Sequence, residues 1–267
     1  MIDVQNFHKS YGSKLAVDGV SFQVEPGQIL GLVGPNGAGK TTTLRSLAGL
    51  IVPSQGRLRI AGFDVEKEAV QAKQRLAYVP DDPQLFDDLN VAQHMAFTAK
   101  LYGIADSAAK SKELLELFSL HDQLGTRCRD LSRGMRQKLA VCCAYLHSPS
   151  AILFDEPLTG LDPPGIRNLK QTIASRARAG AAVIISSHLL AMVEDLCTHV
   201  MILQSGKQRF YGTVAELRET FGGNDCSVTL EQIFFQATEM SQWAAAASRG
   251  AEETAVVPSE DFETCLP

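Results

Sequence analysis

Residues 34–42 read Gly34-Pro35-Asn36-Gly37-Ala38-Gly39-Lys40-Thr41-Thr42, a glycine-rich turn closed by a lysine and two hydroxyls. Glycines at 34, 37 and 39 let successive backbone N–H groups turn inward on one anion, where a Cβ would obstruct the cradle. Lys40 can then reach the β- and γ-oxygens of a polyphosphate, and the Thr41 hydroxyl is placed to ligate Mg²⁺. A plain glycine turn with an exposed lysine is the duller alternative. The flanks argue against it, because residues 28–33 form an apolar strand pattern and Thr42, Leu44, Leu47 and Leu50 carry helical spacing. The helix would aim its positive end at the same anion.

A second segment, 151–157, ends an apolar run in Asp155-Glu156-Pro157. Two carboxylates at the end of a buried strand are costly unless a cation or substrate faces them. Ligands of open parallel sheets gather at the carboxyl ends of strands. Asp155 is therefore expected beside the Mg²⁺ held by Thr41, with Glu156 polarising an attacking water.

The elements that must position these groups follow from the patterning. Residues 17–24 and 28–33 predict strands separated by Pro26 and Gly27, and 57–60 and 75–79 predict two more. Residues 91–102 and 110–120 are helical with no β-branched run between them, which marks a helical insertion. Strands resume at 151–154 and 182–185, apolar throughout, as buried parallel strands should be. A hairpin is expected over 199–211 with Gly206 at its turn, then a short helix, a segment at 231–235 and a loosely ordered tail over 241–267.

Composition narrows the function classes. The chain has 267 residues, 45% of them hydrophobic, enough for a large α/β core. No apolar run approaches the roughly 18 to 20 residues that cross a bilayer. The first residues lack the basic and apolar stretches of a secretory signal, so the chain is expected to stay in the cytoplasm. Six cysteines, at 128, 142, 143, 197, 226 and 265, fit neither a disulfide framework nor paired zinc turns. A formal charge of −5 with scattered Lys and Arg argues against nucleic acid as partner.

Two further segments carry a resemblance. Leu131-Ser132-Arg133-Gly134-Met135-Arg136-Gln137-Lys138 is similar to the LSGGQ signature of ATP-binding cassette (ABC) ATPases, and Ser132 precedes Asp155 by 23 positions, close to the family's spacing. Ser186-Ser187-His188 resembles the family's switch, and 158–162 its connecting loop. Ser132 is also a good N-cap for a helix through Leu139 and Leu146. The resemblance covers about residues 1–220. It implies an α/β phosphate-loop core with a mainly parallel sheet (1–85 and 148–220), an N-terminal antiparallel β subdomain and a helical insertion (86–147), with 221–267 a partly disordered extension. It further implies ATP and Mg²⁺ as ligands, Tyr11 stacking on adenine, and Asp162 in the loop linking paired sites. His188 would contact the γ-phosphate, and Ser132 and Gly134 would contact the γ-phosphate held by a second copy. The partners implied are that second copy and an integral membrane permease, with the chain peripheral on the inner face of the membrane.

Two departures stand out. Arg133 and Met135 replace a glycine and the glutamine of the signature; the arginine could bond phosphate or point into solvent. Asp81 aligns with a glutamine that touches Mg²⁺ and the membrane partner, with Gln84 a weaker substitute. A cassette ATPase without a membrane partner is the alternative function, although no tandem cassette, coiled coil or basic surface supports it. A phosphate-loop kinase or switch protein would lack the 131–138 segment.

Overall fold

The computed structural model describes residues 1–188, 190–222 and 231–234. The chain begins with β1 (Ile2–Tyr11), β2 (Lys14–Val24) and β3 (Ile29–Val33), then α1 (Lys40–Leu47), β4 (Gln55–Ile60), β5 (Phe63–Asp64), α2 (Ala69–Gln74) and β6 (Leu76–Val79). Helices α3 (Val91–Leu101), α4 (Ala108–Leu117) and α5 (Arg133–Leu146) follow. The chain returns to alternation with β7 (Ala151–Asp155), α6 (Pro163–Arg178), β8 (Ala182–Ser186) and α7 (Leu190–Leu196), then β9 (His199–Gln204), β10 (Lys207–Thr213) and α8 (Val214–Gly222).

These strands form two sheets. One, of order β2-β1-β4-β5, is antiparallel throughout. The other runs β10-β9-β3-β8-β7-β6, with parallel pairings from β9 to β6 and an antiparallel edge strand at β10. Strands β3, β7 and β8 are buried at all five positions, because both faces of this sheet are covered. Alternate residues go to opposite cores. Ile29, Ile152 and Ile185 join the helices α3 to α6, while Leu30, Leu153 and Ile184 join α1 and the antiparallel sheet. The mixed α/β class with its antiparallel subdomain is as expected from sequence, and the Gly206 hairpin is present as β9 and β10.

Several elements escaped the sequence patterning. Strand β1 was not singled out, since its register with β2 shifts three times and alternation is lost from Phe7 on. Helix α2, a turn and a half between β5 and β6, has Val70 as its one large apolar residue and buries only Ala72 among its residues. The expected helix at 91–102 begins where a capping box closes it: Asn90 accepts from the Gln93 N–H at 2.8 Å and the Gln93 side chain accepts from the Asn90 N–H at 2.9 Å. Segments 235 and 241–267 lie outside the described residues.

One histidine ties the helices to the sheet and a second holds the loop that precedes α3. The His147 ring, just past α5, stacks on Tyr102 at 3.8 Å between centroids, and its Nε2 lies 3.1 Å from the Leu76 carbonyl oxygen. Its Nδ1 is buried without a hydrogen-bond partner among the described residues. His94 Nε2 lies against the Phe86 backbone, 3.1 Å from its N and 3.2 Å from its O. Burial holds both imidazoles below their ordinary value of 6.5. The folded chain thus binds fewer protons than the unfolded chain below about pH 6.5, and stability falls as pH drops through that value. Urea unfolding followed from about pH 7.5 to about pH 5.5 should show a declining midpoint, and His147→Gln should flatten the decline. A wild-type midpoint constant across this window would show that neither histidine is held neutral.

Candidate functional site

Strand β3 delivers the chain into the 34–39 loop, and α1 starts at its end. The loop packs with little tolerance: a Cβ on Gly34 would collide with the Leu203 carbonyl oxygen, and one on Gly39 would sit 2.8 Å from the Ala16 oxygen. Gly37 and Gly39 have φ of 78° and 108°, where only glycine is unstrained. Gly39 is the N-cap of α1, so no side chain caps the helix, and its first turn carries no acid. The leading N–H groups are therefore left for an anion.

The Lys40 ammonium folds back over this loop, donating to Gly34 O at 2.6 Å and Pro35 O at 3.2 Å. Burial lowers its pKa, opposed by the nearby charges of Glu156 and Asp155. A cation parked on two carbonyls beside uncapped helix N–H groups suits a polyphosphate, to which it could transfer its bonds.

Asp155, at the end of β7, is 4% exposed. It accepts from the Thr41 hydroxyl at 3.3 Å and the Tyr78 hydroxyl at 3.4 Å, and from Ser186 Oγ through a short hydrogen bond. Burial first, then the charge of Asp155, pushes the Tyr78 phenol up to about 12, so it stays a donor. Tyr78 and Ser186 had no assigned role in the sequence reading. Their signal was only positional, each lying near the carboxyl end of a strand beside β7.

Glu156 has φ of 48°, a left-handed backbone that side chains rarely adopt. Its N–H donates to Ser186 O at 3.1 Å, and its Oε2 lies 2.8 Å from His188 Nδ1 and 3.4 Å from the His188 backbone N. With Nδ1 protonated, the imidazole donates to this carboxylate and holds its direction. Strained backbone of this kind concentrates where a side chain must be aimed.

Two clefts gather most of the expected site. One, of about 310 Å³, is lined by Tyr11, residues 36–42, Asp155 and Glu156. The second, of about 570 Å³, holds Gly34, Pro35, Asn36, Asp81, Glu156 and His188, together with Arg133 and Thr159. Tyr11 is half-exposed at the β1–β2 turn, with Lys9 Nζ 5.0 Å from its ring centroid. Ser132 is exposed and caps α5, accepting from Met135 N–H at 3.2 Å. Neither Ser132 nor Gly134 lines these clefts. Gly134 instead abuts Gly160, whose carbonyl oxygen leaves no room for a Cβ. Asp162 leads into α6 and pairs with Lys138 at 2.7 Å, a hydrogen bond that lowers its pKa. Among the described residues the Gln84 side chain bonds only to Asp82.

The loop geometry makes a sharp distinction between glycines. Gly34→Ala must displace the β9 backbone and should fail to fold or unfold at much lower urea. Gly37→Ala meets nothing within 4 Å and should cost only about 1 to 2 kcal/mol of left-handed strain. Equal losses in a urea titration would refute the packing described for Gly34.

Comparison with known proteins agrees with this arrangement. The ABC transporter family model matches residues 17–159. The chain is 34% identical to the ABC-type transporter ATP-binding protein EcsA of Bacillus subtilis over 90% of its own length and 97% of that protein. It is 35% identical to the Nod factor export ATP-binding protein I of Cupriavidus metallidurans, covering 84% of this chain and 75% of that one. A solved structure described as the ATP binding subunit of an ABC transporter superposes with a TM-score of 0.84 at 30% identity, over 89% of this chain and 99% of that one. A nucleotide-free ATP-binding cassette shares the fold at a TM-score of 0.70 and 21% identity, over 84% and 96%. Matched by the family model over residues 17–159 and by these relatives along most of its length, the chain belongs to the ABC transporter family as an ATP-binding subunit.

Proposed function

We propose that this subunit hydrolyses MgATP through Glu156 and that two copies, closing head to tail on two nucleotides, drive a separate membrane permease. Residues 34–42 hold the triphosphate, Tyr11 supports the adenine, and Thr41, Asp155 and Asp81 would hold Mg²⁺. The bound cation would supply neutralisation of charge on the transferred phosphoryl group. Glu156 accepts a proton from the water that attacks the γ-phosphorus, and ADP departs with the β–γ bridging oxygen. His188 orients that carboxylate, which explains why a left-handed backbone is tolerated at 156. Ser132 and Gly134 stand outside their own subunit's clefts, which suits contact with the γ-phosphate of a second copy, with Asp162 in the loop between the paired sites.

The permease reading is carried by one observation. A cleft of about 880 Å³ between the core and the helices is lined by Thr41 and Asp155 and also by Leu50, Leu85 and Leu101. Leu101 on its lining is 68% accessible, and outside the cleft Phe86 is 57% accessible and packs edge-on to Phe97, one turn before Leu101 on α3. Apolar side chains left in water on and beside a cleft that also holds Thr41 and Asp155 suit a partner that senses nucleotide state. No helix among the described residues is long and apolar enough to cross a membrane, so a membrane-spanning partner would supply the pathway. We place the subunit at the cytoplasmic face of that partner.

Glu156→Gln should keep MgATP binding, accumulate a dimer on size exclusion and lower turnover by at least about 10²-fold. Undiminished phosphate release would remove Glu156 as the base. Phe97→Asp with Leu101→Asp should leave nucleotide affinity unchanged while abolishing co-purification with an integral membrane protein. Retention of that protein by the double variant would refute the docking face.

A further inference from the structure

Two departures from the family pattern meet in space. Arg133 Nη2 donates to Asp81 Oδ1 at 2.9 Å, joining the first residue of α5 to the loop that follows β6. The arginine stem lies over Gly160, within van der Waals reach of it. Both charged groups line the 570 Å³ cleft beside Gly34, Asn36, Glu156 and His188.

An ion pair on the wall of a polyphosphate cleft faces double competition. Anionic oxygens entering the cleft attract the guanidinium, and the divalent cation that accompanies them attracts the carboxylate. Each side chain is 48% exposed, so the pair is weak enough for such ligands to displace. We propose that Arg133–Asp81 is a nucleotide-released brace, which fixes the start of α5 and the Asp81 carboxylate in the empty subunit and comes apart when MgATP enters. Arg133 is then a positioning residue: it holds Asp81 away from metal and the helices against the core until the ligand replaces both halves of the pair. This rests on the reading that MgATP fills these clefts, and it requires neither the dimer nor the permease.

The test is a double-mutant cycle of Asp81→Asn, Arg133→Gln and both together, read in two ways. In urea unfolding of nucleotide-free protein, the double variant should be two- to fivefold less destabilised in its unfolding constant than the product of the single effects. In binding of the β,γ-imido analogue of ATP with Mg²⁺, it should bind two- to fivefold more weakly than the product of the single effects predicts, because only the wild type must break the pair. Both couplings should fall toward unity at about 0.5 M salt. The Lys170–Asp195 pair, which joins α6 to α7 at 3.0 Å and lines neither cleft, should show no coupling in nucleotide affinity. Coupling in unfolding with none in affinity would make Arg133–Asp81 a static contact and overturn the proposal, as would additive effects in the nucleotide-free protein. If wild type and Lys40→Ala bind the analogue equally, the nucleotide reading beneath it fails instead, and release by MgATP falls with it.

Discussion

A carboxylate almost sealed from water, Asp155, receives hydroxyl hydrogens from three separate elements: Thr41 on α1, Tyr78 on β6 and Ser186 on β8. An isolated buried carboxylate would be expensive, and these donors compensate its desolvation. They also fix geometry, because the three groups can meet only if β6, β7 and β8 hold their parallel register and α1 starts where the glycine loop ends. The sheet order and the loop's tight packing against Leu203 and Ala16 serve that one convergence.

The next residue shows the cost of aiming a side chain. Asp155 still belongs to β7, and Glu156 leaves it with a left-handed backbone, a conformation disfavoured by roughly 1 to 2 kcal/mol. The hydrogen bond to Ser186 O and the contact with the His188 ring offset part of that strain. Adjacent acids thereby face different surroundings: one is buried among hydroxyls, the other opens on both clefts beside an imidazole. The division between metal holding and water activation proposed for them follows from this turn of the chain.

The helices between β6 and β7 are joined to the core by contacts of two kinds. Apolar packing and the His147 contact with the Leu76 carbonyl make one seam. The pairs Arg133–Asp81 and Lys138–Asp162 bridge the same region with charges that a polyanion could compete for. Motion of the helices relative to the sheet would therefore be governed at the polar end of the seam rather than at the packed one.

Sequence alone determined the local chemistry. Gly34 to Thr42, the Asp155-Glu156 strand end and the Ser132 cap are each contiguous, so backbone conformation and short-range sterics suffice to specify them, and the all-apolar strands announced a sheet covered on both faces. Weakly patterned pieces such as α2 and the bulged β1 were not legible, because a tertiary surface rather than an intrinsic period holds them. The convergence of Tyr78 and Ser186 on Asp155, the grip of His188 on Glu156 and the partnership of Arg133 with Asp81 were decided only by the fold. Those contacts join residues 31 to 77 positions apart in the chain, and nothing in one segment records which distant side chain the sheet register will bring to it.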